Sequence, residues 1–374
     1  MGLGERMASR FFRPVICGLI ALGLTLPALT AARAQQSGPI QNPSKEKAPP
    51  PPPPQKQEPK PEDQFTLAVE VPLVTIDVVV TDNRGTYIPD LKKDHFRVIE
   101  DGVPQTITNF SPTDAPLTVV ILLEFSRLFY SFFNYNGPYM AQYFLPNLKQ
   151  QDWIALVSYD MRPRVEVDFT RNKNEIAQTL ARMYIPGFSE SNLFDALLDT
   201  IDKLKDVKGK KSILILASGY DSFSKKTLDE TLKALKQTDI TIFGVGLGRE
   251  MFDYLDSRGA FRGAWGGADR TAYYQAENQL RAFAEMSGGR AWFPRFEGEW
   301  PGIFQDVAAA LRNQYTIGYS PTNRKADGKY RKIKVELVGP DGTPLKVLDQ
   351  KGKNVKYVIY ARQGYIPTKG GVSD

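Results

Sequence analysis

The chain has a single histidine, His95, and a single cysteine, Cys17, in 374 residues. His95 lies in a β-rich flank, which excludes a Ser-His-Asp hydrolase within the α/β region, and one histidine cannot build a multi-histidine zinc centre. The paired acids Asp229-Glu230 and Glu297/Glu299 have no nucleophile to serve and read as solvated helix or loop residues. Gly244-Val245-Gly246-Leu247-Gly248 invites a dinucleotide reading, but it lacks the third glycine at the required offset and a following acid. It reads as a tight strand exit, and no dinucleotide is expected. Aromatic residues stand out instead: Phe125, Phe129, Tyr130, Phe132, Phe133 and Tyr135, followed by Tyr139, Tyr143 and Phe144. Some of these are expected to pack under a first helix. No single helical face buries them all, so the remainder is expected to form an apolar patch that meets a protein partner. Phe125, Phe129, Tyr130, Phe132, Phe133 and Tyr135 are the candidate contacts.

The elements that must position these residues follow from hydrophobic period. Leu117–Leu123 is an unbroken apolar run, the pattern of a strand covered on both faces in a parallel sheet. Further strands are expected at Trp153–Tyr159, Arg164–Phe169, Ser212–Ser218, Ile240–Gly246 and Arg290–Phe293. Helices are expected near Pro138–Lys149, Lys173–Met183, Asn192–Val207, Lys226–Lys236, Ala276–Ser287 and Trp300–Arg312. In Asn192–Val207, for example, Leu193, Ala196, Leu197, Ile201 and Leu204 share one face. This alternation predicts a doubly wound, mostly parallel six-stranded Rossmann-like sheet with right-handed crossovers. Only four residues separate Trp153–Tyr159 from Arg164–Phe169, too few for a helical crossover, so the latter is expected as an antiparallel edge strand. Arg249–Gln275, rich in glycine and aromatics, reads as an excursion after the fifth strand, either a mobile loop bordering the site or a patch that orders on binding.

Both flanks of this α/β region are β-rich. Leu67–Phe110 carries near-alternating valines and isoleucines with turns at Asp82-Asn83-Arg84-Gly85 and Glu100-Asp101-Gly102. After Arg312 come Tyr315–Tyr319, Lys332–Val338, Pro344–Leu348 and Tyr357–Ala361. Neither flank has means to cover both faces of a sheet alone. They are expected to form one small β-sandwich with the α/β domain inserted; two separate β appendages are the alternative.

The N-terminal residues are read as targeting and spacing. Arg6, Arg10 and Arg13, an apolar run over Val15–Leu29, and Ala32-Arg33-Ala34 together resemble a cleaved signal peptide, the alternative being an uncleaved anchor. Gln35–Asp63 holds ten prolines, including Pro49–Pro54, and is expected as a polyproline spacer rather than a Pro-rich recognition ligand. The expected layout is a signal over 1–34, a disordered linker over 35–64, the first β-sandwich segment over 65–112, the α/β domain over 113–312, the second β-sandwich segment over 313–367 and a disordered tail over 368–374. Beyond Ala34 the 44 basic and 41 acidic residues leave a net charge of +3 and no cysteine remains. Nucleic acid is therefore not an expected partner, and neither disulfides nor thiol chemistry is available.

The chain resembles the bacterial von Willebrand factor A-related family. The resemblance rests on VTIDVVVTDNRGTYIPDLKKDHFRVIEDGVPQTITNF, SGGRAWFPRFEGEWPGIFQDVAAALRNQYTIGYSP, DGKYRKIKVEL and ARQGYIP, and spans about Val69–Pro367. It implies an exported protein, periplasmic or secreted, with this layout of an α/β domain between β flanks and a cation held by three loops. The family's D-x-S-x-S is matched by Glu124, Ser126 and Leu128. Ser191 stands for the threonine of its second loop. The third loop reads Ala217-Ser218-Gly219-Tyr220-Asp221, so that Ser218 replaces an acid and Asp221 keeps one.

Such a set implies a degenerate metal-ion-dependent adhesion site around Glu124, Ser126, Ser191 and Asp221, with at most weak Mg²⁺ or Ca²⁺ binding, since Mg²⁺ tolerates misplaced ligands poorly. The expected function is an exported, non-enzymatic protein-interaction or adhesion module that captures an exported or cell-surface protein. Membrane contact is expected only through an uncleaved signal segment. The alternatives are a metal-dependent adhesion protein that retains a modified ion site, and an enzyme accessory subunit.

Overall fold

Val74–Asp82 (β1) lies antiparallel to Gln314–Tyr319 (β11), with Val74 opposite Tyr319 and Val79 opposite Gln314. The two β-rich flanks therefore share a sheet. The computed structural model describes residues 73–111, 115–183, 186–257, 270–348, 352 and 354–367. The expected signal segment, proline-rich linker and C-terminal tail lie outside the described residues.

The remaining strands of the flanks are Phe96–Glu100 (β2), Val103–Gln105 (β3), Ile107–Ser111 (β4), Arg331–Leu337 (β12), Val347–Leu348 (β13), Asn354–Val355 (β14), Tyr357–Ala361 (β15) and Gly364–Tyr365 (β16). One sheet runs β15-β1-β11-β4 and the other β16-β12-β2-β3. Both contribute to one core, in which Val74, Ile76, Val78 and Tyr319 meet Phe96, Val98, Ile333 and Val335. The segment after the Glu100-Asp101-Gly102 turn is broken at Thr106, because its first half pairs with β2 and its second with β11 in the other sheet. Glu100 is buried in this core and accepts hydrogen bonds from the hydroxyls of Tyr319 (2.7 Å) and Tyr365 (3.0 Å), with Arg331 at 3.4 Å.

Inserted between the flanks is the α/β region. Its strands are Leu117–Glu124 (β5), Trp153–Tyr159 (β6), Pro163–Thr170 (β7), Lys210–Ala217 (β8), Thr241–Gly246 (β9) and Ala291–Trp292 (β10). They form one sheet in the order β10-β9-β8-β5-β6-β7, parallel except for the antiparallel edge strand β7. Every residue of β5 and β8 is buried. Alternate residues serve opposite faces, as the pleat requires: Val119, Ile121 and Leu123 join one core, and Val120 and Leu122 the other.

The helices are Arg127–Tyr143 (α1), Lys173–Arg182 (α2), Leu193–Leu204 (α3), Leu228–Leu235 (α4), Arg249–Ser257 (α5), Arg270–Ser287 (α6) and Trp300–Arg312 (α7). Thr227 and Glu230 start α4 with a reciprocal capping box. Two boundaries differ from expectation. Pro138, expected at the start of the first helix, lies inside α1, which begins eleven residues earlier. The aromatic stretch before Pro138 is thus mostly helical. Arg249–Ser257 and the residues from Arg270 onward are helical rather than loop.

The glycine run of β9 is a packing device. A Cβ at Gly246 would sit 2.4 Å from the Phe293 ring, and one at Gly248 would sit 1.7 Å from the Pro294 carbonyl oxygen. Both glycines let the chain after β10 lie directly against the end of β9.

Candidate functional site

In a doubly wound sheet, ligands sit outside the carboxyl ends of the strands where the strand order reverses. Here the chain leaves β5 for β6 on one side and returns to β8 on the other, so the reversal falls at the end of β5. Glu124 is the last residue of β5 and is fully buried. Its side chain reaches across the reversal. Ser126 Oγ donates to Oε1 at 2.7 Å, and Ser218 donates to Oε2 through both its backbone N–H and its hydroxyl, each at 2.7 Å. Burial pushes the Glu124 carboxyl above the usual carboxylate range, against the pull of the Ser218 and Ser126 hydrogen bonds. Asp221 adds a further upward push through its charge. Among the described residues no cation pairs with Glu124.

The other expected ligands face elsewhere. Ser191 is buried and its hydroxyl donates to the Tyr220 carbonyl oxygen at 3.0 Å. Asp221 turns toward the start of α3, where its Oδ2 accepts from the Phe194 N–H (2.9 Å) and the Ser224 hydroxyl (2.5 Å). It thereby satisfies a backbone donor that the helix leaves open. Burial raises the Asp221 pKa while Ser224 and Phe194 hold it down. The structure brings Glu124 and Ser126 into contact, and joins them to Ser218 rather than to Ser191. Among the described residues no three acids, histidines or cysteines are grouped as a metal centre would need.

Tyr159, at the end of β6, completes the buried floor. Its hydroxyl is held well above the ordinary tyrosine range by burial first, and then by the charges of Glu124 and Asp221. The loops around it are tied by backbone bonds. The Phe125 N–H donates to the Tyr159 carbonyl (2.7 Å), the Asn192 N–H to Asp160 (2.9 Å), and the Phe223 N–H to Ser191 (3.0 Å).

Of the aromatic candidates, Phe125 is buried in the core, edge-on to the half-buried Tyr130. That corrects its place among the contacts: the residue that continues β5 has its backbone fixed to β6, which turns its ring inward. The side chains of Phe129, Phe132, Phe133 and Tyr135, together with that of Leu128, lie outside the described residues. Two rings that sequence reasoning missed stand exposed on the site loops. Phe188 is 50% exposed and Phe223 is 47% exposed. The Phe188 carbonyl receives the Arg127 N–H at the start of α1, and Phe223 is tied to Ser191. No periodicity marks isolated loop aromatics, so only their placement reveals them.

A doubly wound α/β domain whose candidate site lies at the strand reversal is thus defined. Residues 140–259 match the family model described as the von Willebrand factor type A domain. Over those residues the chain is similar to that family. The match covers the second and third site loops and begins after the first, which carries Glu124. No curated protein matches the chain. Among solved structures, the conserved hypothetical protein BatB from Bacteroides thetaiotaomicron is 13% identical with a TM-score of 0.37, over 52% of this chain and 98% of that one. A von Willebrand factor type A protein from Catenulispora acidiphila is 10% identical with a TM-score of 0.39, over 80% and 75%. The von Willebrand factor domain of the type V pili tip protein Mfa5 from Porphyromonas gingivalis is 12% identical with a TM-score of 0.37, over 52% and 95%.

Proposed function

We propose that this chain is an exported, non-enzymatic protein-interaction module whose rim works without a resident cation. The observation that carries this is the Glu124 carboxylate, whose two oxygens accept three 2.7 Å hydrogen bonds from neutral donors across the strand reversal. A hard divalent cation needs several converging oxygens, usually with more than one carboxylate. Here Ser218 donates where the family places an acid, and Asp221 is engaged at the start of α3. The residues do not fit a tightly held Mg²⁺ or Ca²⁺.

In place of an ion bridging to a partner's carboxylate, the rim offers rings. Exposed Phe188 and Phe223 on adjoining site loops suit the apolar anchor of a protein interface. Export is supported by the sequence of the first 34 residues, and a non-enzymatic role by the placement of the single histidine, His95, in the β flank rather than at the rim. No helix among the described residues is long and apolar enough to cross a membrane. The test is capture of partners from an exported-protein fraction by the intact chain and by a Phe188→Ser/Phe223→Ser variant, each with and without chelator. Capture that resists chelation and falls in the variant is expected. Chelator-sensitive capture, or capture untouched by the substitutions, contradicts the proposal.

A further inference from the structure

A second feature lies on the same edge of the sheet, at the β9/β10 end. Between the first turn of α5 and the first turn of α7 is a cleft of about 220 Å³. It is lined by Met251, Tyr254, Phe296 and Trp300 and by the acids Glu250 and Glu297. Tyr254 is 46% exposed and Phe296 is 53% exposed. The cleft is smaller than the roughly 300–1,000 Å³ of sites for drug-sized ligands. It has room for one long side chain.

Its charge selects the kind. Neighbouring cations are already engaged: Arg249 faces Asp253 at 3.9 Å, and Arg295 pairs with Glu299 at 2.7 Å. Glu250 receives only the Glu297 N–H at 3.1 Å, and neither Glu250 nor Glu297 has an ion-pair partner among the described residues. Both carboxylates stand in or next to helix first turns, where they offset the positive end of the backbone dipole and disfavour a bound anion. A cation is the complementary ligand for a cleft lined by two exposed aromatic residues and two acids. A guanidinium suits it better than an ammonium, because it is flat, stacks on rings and forks onto a carboxylate. The chain seats its own Arg290 in this manner, 5.0 Å from the centre of the Trp292 ring on β10.

We propose that this cleft accepts an arginine side chain of a protein partner. The proposal deepens the interaction reading and rests on it for the partner, but its test needs no partner. The intact protein, carrying ¹³C-methyl methionine with the Met251 resonance assigned, is titrated with N-acetyl-arginine methylamide and with its uncharged norleucine counterpart. The expected result is a saturable Met251 shift with the arginine probe alone, with dissociation constants on the order of millimolar. A Glu250→Gln/Glu297→Gln variant, in which both substituted carboxylates are exposed and folding is preserved, is expected to bind about tenfold more weakly. An equal shift with norleucine, an unchanged affinity in the variant, or no saturable shift overturns the proposal. Failure of the rim reading is seen separately, as partner capture indifferent to Phe188 and Phe223.

Discussion

Glu124 and Ser218, 94 residues apart in sequence, are joined by two hydrogen bonds of 2.7 Å that close the strand reversal from β5 to β8. The Glu124 carboxyl reaches the serine's N–H and hydroxyl, and the Ser126 hydroxyl reaches its other oxygen. Together these groups form a neutral-donor cradle for one buried carboxyl.

The cradle has a pH signature. Because burial raises the folded-state pKa of Glu124 above its ordinary value of 4.5, the folded state holds this proton more tightly than the unfolded one. Its contribution is therefore fully present below about pH 4.5 and is lost as pH rises through the folded value. Other acids titrate nearby, so the readout is the difference between the parent and Glu124→Gln. The stability of the parent relative to Glu124→Gln is expected to fall across that window by up to about 1.4 kcal/mol per pH unit. Thermal unfolding followed against pH for both proteins checks this; a difference independent of pH contradicts it.

Removing the partner hydroxyl is a separate test. Ser218→Ala keeps the backbone N–H bond to Glu124 and deletes the side-chain one, leaving a buried carboxyl under-satisfied. A loss of about 1–3 kcal/mol is expected from urea unfolding. Ser191→Ala, whose hydroxyl bonds the Tyr220 carbonyl instead, is expected to leave the Glu124 titration where it was.

The strand exit gives a third expectation. At Gly248 a Cβ would collide with the Pro294 carbonyl, which is backbone and cannot swing aside. Gly248→Ala is expected to cost about 1–3 kcal/mol by forcing the end of β9 from the segment after β10. Gly302, with nothing near its would-be Cβ, is the control: Gly302→Ala in α7 is expected to be neutral or stabilising. Denaturant midpoints of the two variants decide it.

Much of this was legible in the sequence. The unbroken apolar run ending at Glu124 announced the central strand, and the four-residue gap before Arg164 announced the antiparallel edge. Trp300–Arg312 was readable to the residue because its apolar period and its ends agree. The start of α1 was not legible: Pro138 mimics a helix start, and the aromatic residues before it have only middling helix propensity, so tertiary packing decides. The site was half legible. The residue types at 124, 128 and 218 show on inspection, but the capture of Glu124 by Ser218 needs the strand order. The inward turn of Phe125 and the exposure of Phe188 and Phe223 have no periodic signature at all.

The most direct test of a rim closed by Glu124 is calorimetric titration of the intact protein with Mg²⁺, Ca²⁺ and Mn²⁺, with Ser126→Ala alongside. No saturable heat is expected up to concentrations on the order of millimolar, and no change in unfolding temperature when chelator is added. Binding of one cation per chain that disappears in Ser126→Ala contradicts the account.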